Sequence, residues 1–136
     1  MFIRYAICAI ALGTLPAHAD VWTFETPSEN IQCVVGEGAE SSDLTCTIIE
    51  RGGTPPLPKP ATCASDWGHT FYMADTGPAR ILCERTSRDK GGFDRADYGV
   101  TGEFGGFTCF SSTKGLRCVN LDGHGFFLSR RRQEVF

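Results

Sequence analysis

The sequence predicts an all-β protein, a small disulfide-crosslinked antiparallel sandwich or partly open barrel that is built from hairpins. Three observations favour this fold class. Short runs of alternating apolar and polar residues recur along the chain, and turns rich in Gly, Pro, Asn and Asp separate them. No sustained helical period follows residue 19. Six of the seven cysteines follow residue 19, an even number that is typical of disulfides in an exported chain.

Residues 1–19 have the layout of a bacterial secretory signal peptide. Arg4 precedes an apolar stretch, and Ala17 and Ala19 supply the small residues that signal peptidase requires before the cut. The apolar stretch is about half of the ~20 residues that span a bilayer, so we expect cleavage and no membrane anchor. Cys8 follows Tyr5-Ala6-Ile7, a poor match to a lipoprotein cleavage box, so we expect no lipid anchor. The sequence therefore predicts a single disulfide-bonded domain, residues 20–136, that is periplasmic or secreted.

The first hairpin follows a predicted strand at residues 21–25. Opposing Val35 with Leu44 across a Gly-rich polar loop also opposes Cys33 with Cys46. Directly opposed residues have Cβ atoms ~4.5–5.5 Å apart, close to the ~3.5–4.5 Å of a disulfide. We therefore predict a disulfide between these two cysteines.

Residues 54–60 carry four prolines, which predict an extended crossing, with a polyproline ligand as the alternative. Two strands, residues 71–73 and 80–84, are predicted to follow. The charged and Gly-containing segment 87–98 predicts a loop with at most one helical turn.

The second cysteine hairpin is predicted by the turn at residues 112–115. Opposing Ser111 with Leu116 also opposes Cys109 with Cys118. Elimination then leaves Cys63 and Cys83 as the third pair, although six cysteines allow 15 connectivities. A two-residue turn at Asp122–Gly123 and a last strand at residues 126–129 complete the prediction.

Composition excludes several classes of partner and cofactor. The chain has 136 residues and a formal net charge of −3, which corresponds to one domain without the basic face typical of nucleic-acid binders. The closest cysteines, Cys109 and Cys118, are nine residues apart, whereas zinc sites favour a spacing of about two to four. No glycine-rich phosphate loop follows a predicted strand. We expect no nucleic acid, no metal, no cofactor and no transmembrane segment in residues 20–136.

Two motifs bracket this domain. Residues 24–33 read FxTPSxNIxC, and residues 115–130 contain GLxCxN followed by GHGFxLSR. Together they resemble an exported bacterial family catalogued as a domain of unknown function. The resemblance implies export and a compact, cysteine-bonded domain, and it transfers no activity. Glu29 stands at a position where this pattern leads us to expect glycine.

Catalysis has one candidate in the sequence, a hydrolase that uses His124. Asp122 and Ser129 are near enough in sequence to suggest a Ser-His-Asp triad, but a triad is defined by geometry, and no Gly-x-Ser-x-Gly elbow is present. A turn role for His124 is the simpler interpretation. His69 and Asp66 together supply too few ligands for zinc.

The leading hypothesis is a non-catalytic binding or inhibitor-like module of the cell envelope, whose partner is an unknown protein or envelope ligand. Rigid, disulfide-bonded loops lose less entropy on docking. The candidate binding residues, on loops 67–69, 87–98 and 122–125, are Trp67, His69 and His124. A small secreted hydrolase and a structural envelope protein remain the alternatives.

The aromatic and basic residues divide into three predicted groups. Those predicted to lie in the core are Trp22, Phe24, Phe107 and Phe127. Those predicted to be exposed binding groups are Trp67 and Phe104. Residues 130–132 are three arginines that predict a solvated tail, with contact to anionic lipid or lipopolysaccharide as the alternative.

Overall fold

A computed structural model describes residues 12–13 and 20–136, so nearly all of the predicted signal peptide lies outside the described residues. The described part consists of eleven strands and no helix. The strands are β1 (Asp20–Glu25), β2 (Ile31–Glu37), β3 (Ser42–Ile48), β4 (Thr70–Ala74), β5 (Arg80–Leu82), β6 (Asp94–Arg95), β7 (Thr101–Phe104), β8 (Phe107–Ser112), β9 (Gly115–Val119), β10 (Gly125–Leu128) and β11 (Gln133–Val135).

The strands form two sheets. The first has six strands in the order β5-β4-β3-β2-β1-β6, and the second has five in the order β11-β10-β9-β8-β7. Every neighbouring pair is antiparallel except β1 and β6, which are parallel. Neither strand order closes on itself, so the fold is an all-β sandwich rather than a barrel, and the predicted fold class is confirmed.

The core lies between the two sheets. In the central strands, such as β3 and β8, alternate residues point inward, as the period of two dictates, and are buried. Phe71 of the first sheet meets Phe126 of the second, with ring centroids 5.7 Å apart. Phe24 and Phe107 are buried as predicted. Each fully buried side chain of this size contributes about 1.5–3 kcal/mol to the free energy of unfolding.

All three predicted disulfides are confirmed. The register opposes Val35 with Leu44 and thereby Cys33 with Cys46, and it opposes Cys109 with Cys118 in the second sheet. Both bonds lie on the inner faces of the sandwich and are buried. The third bond joins Cys63 to Cys83, as elimination predicted, and Cys83 is exposed.

Three strands, β6, β7 and β11, were missing from the sequence prediction. β7 contains Gly102 and has no buried residue, so its alternation is weak. β11 follows the three arginines, which are exposed as predicted but form the turn of a hairpin instead of a tail, because the main-chain N–H of Ser129 donates to the carbonyl of Arg132. Within segment 87–98, the loop prediction holds except for the two residues of β6.

The turn between β9 and β10 is longer than predicted. The Asn120 N–H donates to the His124 carbonyl at 2.8 Å, which leaves a three-residue loop, Leu121 to Gly123, in place of a two-residue turn. Gly123 has φ +80°, the left-handed conformation that ends three-residue loops of this kind. The Asp-Gly pair therefore forms the second half of the turn.

Four aromatic predictions need correction. Trp22 and Phe104 are both half-buried, and their rings pack edge to face with centroids 4.7 Å apart. Trp67 is half-buried and packs against the core, so it is not an exposed group. Phe127 is half-buried on the outer face of the second sheet, because its inward neighbours Phe126 and Leu128 occupy the core.

Candidate functional site

Trp67 and His69 lie at the end of the sandwich where β4 begins. The Trp67 Nε1–H donates to the Leu57 carbonyl at 2.8 Å and so holds the proline-rich segment against the body of the protein. The His69 ring Nδ1 lies 2.8 Å from the Ile48 carbonyl, and the Ile48 N–H donates to the His69 carbonyl. Both side chains therefore have a structural role in fixing this end.

His124 lies at the opposite end of the sandwich. Its turn is bonded to the loop after β4, since the Asn120 amide donates to the Ala74 carbonyl at 3.0 Å. His69 precedes the first residue of β4, whose five residues span about 17 Å. Trp67, His69 and His124 thus do not form one site, and a binding role for each stays a prediction.

Asp122, His124 and Ser129, which the sequence suggested as a triad, do not lie together in the structure. The Asp122 carboxylate accepts a hydrogen bond from the Gly77 N–H at 2.7 Å. The Ser129 hydroxyl donates to the Arg132 carbonyl at 2.9 Å. β10 separates His124 from Ser129 by about 16 Å of extended chain. This arrangement does not support nucleophilic catalysis by these three groups.

Asn30, the asparagine of the first motif, has a structural role. Asn30 is buried, and its side-chain amide donates to the Glu50 carbonyl at 2.9 Å while its side-chain oxygen accepts the Glu50 N–H at 2.8 Å. This reciprocal pair extends the β2–β3 ladder beyond its last main-chain pair. Asn30 therefore closes one end of the first sheet.

The asparagine of the second motif connects the two sheets. The Asn120 amide donates to the carbonyls of Ala74 and Gly77, at 3.0 and 2.7 Å. Its side-chain oxygen accepts the N–H groups of Asp122 and His124, at 3.0 and 3.1 Å. Four hydrogen bonds satisfy this buried amide, so the motif is explained by structure.

Asp66 anchors the loop that carries the third disulfide. Its carboxylate accepts the Thr86 N–H at 2.8 Å, and this hydrogen bond lowers the pKa of Asp66 below its ordinary value. The Cys63–Cys83 bond crosslinks the same two segments. Within the part of the chain that the structure describes, no three His, Cys, Asp or Glu residues are grouped so as to hold a metal ion.

The outer face of the second sheet carries a row of aromatic and cationic side chains. The register opposes Phe110 to Arg117 and Arg117 to Phe127, across β8, β9 and β10. Phe110 is 42% exposed, and Arg117 is exposed. Phe110 and Phe127 therefore present apolar surface on either side of a cation.

Three further cations surround this row and line a shallow groove of about 660 Å³ with it. They are Lys114, Arg131 and Arg132. The Arg132 guanidinium lies 5.3 Å from the centre of the Phe127 ring and pairs with Glu134 at 3.2 Å. We call these six residues the basic aromatic face: Phe110, Lys114, Arg117, Phe127, Arg131 and Arg132.

The basic aromatic face differs from the molecule as a whole. The chain has a formal charge of −3, yet this face gathers four cations around one paired carboxylate, Glu134. Such a cluster attracts phosphate or carboxylate groups. Sequence reasoning raised the arginines at residues 130–132 as an alternative contact for anionic lipid but missed the aromatic part of the face, although the cysteine register that it derived already opposes Phe110 to Arg117.

Residues 5–136 match the model of a family described as a family of unknown function, DUF6636. No curated protein and no solved structure matches the chain. In the described ranges, 12–13 and 20–136, no helix is long and apolar enough to cross a membrane. The three disulfides fit a non-cytoplasmic protein, because thiols in the cytosol are kept reduced.

Proposed function

We propose that this protein, which belongs to the DUF6636 family of unknown function, is a non-catalytic binding module that attaches to anionic lipid surfaces of the cell envelope. The observation that carries the proposal is the basic aromatic face, with Phe110 and Phe127 between four cations. Apolar rings beside Lys and Arg are the side-chain combination that interfacial membrane binders use.

The shape and chemistry of the face suit a lipid surface. Phe110, Arg117 and Phe127 point to the same side of the sheet, and the neighbouring turns hold Lys114, Arg131 and Arg132 beside them, so several headgroups are contacted at once. Each Lys or Arg near an anionic leaflet contributes about 1 kcal/mol, which gives about 4 kcal/mol for four cations. The exposed part of Phe110 adds burial in the interfacial region. Attachment is therefore reversible and sensitive to salt.

The compartment is part of the proposal. The signal peptide predicted at residues 1–19 and disulfides that need an oxidising environment both favour the periplasm or the cell exterior. The anionic lipids of the envelope are available there. Asn30 and Asn120 of the two motifs make structural hydrogen bonds, so neither side chain is needed for contact with a partner.

Vesicle co-sedimentation tests the proposal. Vesicles of phosphatidylcholine with phosphatidylglycerol should bind the disulfide-bonded protein, and vesicles of phosphatidylcholine alone should not. The variant Lys114→Glu/Arg131→Glu should lose about thirtyfold or more in affinity, because two attractive charges become repulsive.

A second double variant is the matched control. Arg80 and Arg85 are exposed on or after β5 of the first sheet, and Arg80→Glu/Arg85→Glu makes the same change in net charge. This variant should bind nearly as well as the original protein. Equal loss in both variants, or undiminished binding in the first, would refute attachment through the basic aromatic face.

A further inference from the structure

One side of the sandwich has an edge strand without a partner. β7 is the last strand of the second sheet, and among the described strands it pairs with β8 alone. On the same side, β6 covers only the last two residues of β1, Phe24 and Glu25. An edge strand with unpaired main-chain groups is a template for another strand.

The main-chain groups that are free on β7 belong to Thr101 and Glu103. The Ser111 N–H donates to the Val100 carbonyl at 3.1 Å, so residue 100 faces β8. Antiparallel strands alternate between residues that face the neighbour and residues that face away. Gly102 therefore also faces β8, and the N–H and C=O groups of Thr101 and Glu103 point away from the sheet.

An apolar slot of about 180 Å³ opens beside this edge. Trp22 and Phe104, which contact each other at 4.7 Å, form part of its wall, and Gly102 leaves room because it has no side chain. The other apolar lining residues include Phe24, Ala96, Val100 and Leu116. Val100 is 51% exposed at the mouth of the slot.

We propose that β7 binds an extended peptide segment of a partner protein as an added strand, with one apolar side chain of that segment in the slot opposite Gly102. Opposed residues on neighbouring strands point to the same face. A residue opposite Gly102 therefore points inward, into the slot. A lipid chain or small apolar molecule would fill the slot but would leave the groups of Thr101 and Glu103 unpaired.

The charges at the rim define the peptide further. Asp94, Asp97 and Glu103 are exposed around the slot, and Arg95 is paired with Asp97 at 2.9 Å. The rim is therefore acidic overall, in contrast to the basic aromatic face. Charge complementarity favours a segment in which a Lys or Arg flanks the apolar residue.

The test uses a defined probe, a capped pentapeptide with leucine at its centre, a lysine on each side of the leucine and a valine at each end. In a titration followed by the amide resonances of the disulfide-bonded protein, the Thr101 and Glu103 signals should shift. Glu103→Pro removes one outward N–H without breaking a bond to β8, and it should weaken binding about tenfold.

A second variant tests the slot. Gly102→Leu places a side chain in the slot and should abolish binding. The fold should tolerate this change, because a Cβ at residue 102 makes only ordinary contact with the Phe104 ring. The control Gly91→Leu lies in the 87–93 loop, where a Cβ meets only an Asp89 oxygen at 3.7 Å, and it should bind normally. The thermal midpoint of each variant reports whether it has folded.

Three results would overturn the proposal. One is binding that neither Glu103→Pro nor Gly102→Leu weakens, and another is no binding at all by the original protein. The third is a dimer that Glu103→Pro dissociates, because a second copy of the chain would then be the occupant of β7.

Discussion

Glu29 shows how one residue can depart from a pattern at an energetic cost. Among the described residues it is the only non-glycine with positive φ, at 60°. Its N–H donates to the Thr26 carbonyl in the tight turn between β1 and β2. A side chain in the left-handed region costs about 1 kcal/mol or more relative to glycine, so the expectation of glycine here has a steric basis.

Glu29→Gly should therefore raise the free energy of unfolding by about 1 kcal/mol. Urea denaturation measures the change. Glu40→Gly, in the exposed loop between β2 and β3, is the control and should give no gain, because Glu40 does not have positive φ. A loss of stability in Glu29→Gly would show that the turn is not strained.

Asn120 joins the turns of the two sheets through four side-chain hydrogen bonds. Asn120→Ala leaves two N–H groups and two carbonyls of the neighbouring turns without this partner. We expect a loss of about 2–4 kcal/mol in the free energy of unfolding, measured by urea denaturation. Leu121→Ala, at a neighbouring side chain that is 69% exposed, should change stability by less than about 0.5 kcal/mol. Similar losses in both variants would contradict this role.

Asp66 makes one contact dependent on pH. Its pKa is lowered by the Thr86 N–H, so the carboxylate stabilises the loop at pH values above the ordinary pKa of about 4. This contribution is lost as the pH falls through the lowered pKa. The Thr86 amide resonance should therefore shift with a midpoint below pH 4, and the shift should vanish in Asp66→Asn. A midpoint above the ordinary value would contradict the hydrogen bond.

Among the elements, the three disulfides should differ in how readily they are reduced. Cys33–Cys46 and Cys109–Cys118 are buried between the sheets. In the third bond, Cys83 is exposed and Cys63 is half-buried. Attack by a thiolate requires access. Mild reductant followed by alkylation and mass spectrometry should label Cys63 and Cys83 first. Simultaneous labelling of all six cysteines would indicate that the sandwich opens as a unit.

The hairpins were predictable where a cysteine pair fixed the register. A one-residue shift would turn Cys33 or Cys109 to the outer face, so the alternation of β2, β3, β8 and β9 admits one pairing. β7 and β11 lack this constraint. Their pairing depends on tertiary contacts, such as Trp22 against Phe104 and the arginine turn that ends at Arg132.

At the scale of the molecule, the sequence predicted which loops exist but not which of them meet. His69 and His124 fall at opposite ends because β4 runs between their turns, and this follows only from the strand order. The basic aromatic face has the same origin. β8, β9 and β10 align Phe110, Arg117 and Phe127, and the unpredicted β10–β11 turn brings Arg131 beside them.

Membrane binding through the second sheet is best examined by mapping the contact surface at residue level with nuclear magnetic resonance. The amide and arginine side-chain resonances of the disulfide-bonded protein are followed while bicelles that contain phosphatidylglycerol are added. The basic aromatic face predicts perturbations concentrated at Phe110, Lys114, Arg117, Phe127 and Arg131, reversed by salt. Perturbations centred on Trp67 and His69, or on the His124 turn, with the second sheet unaffected, would contradict the account.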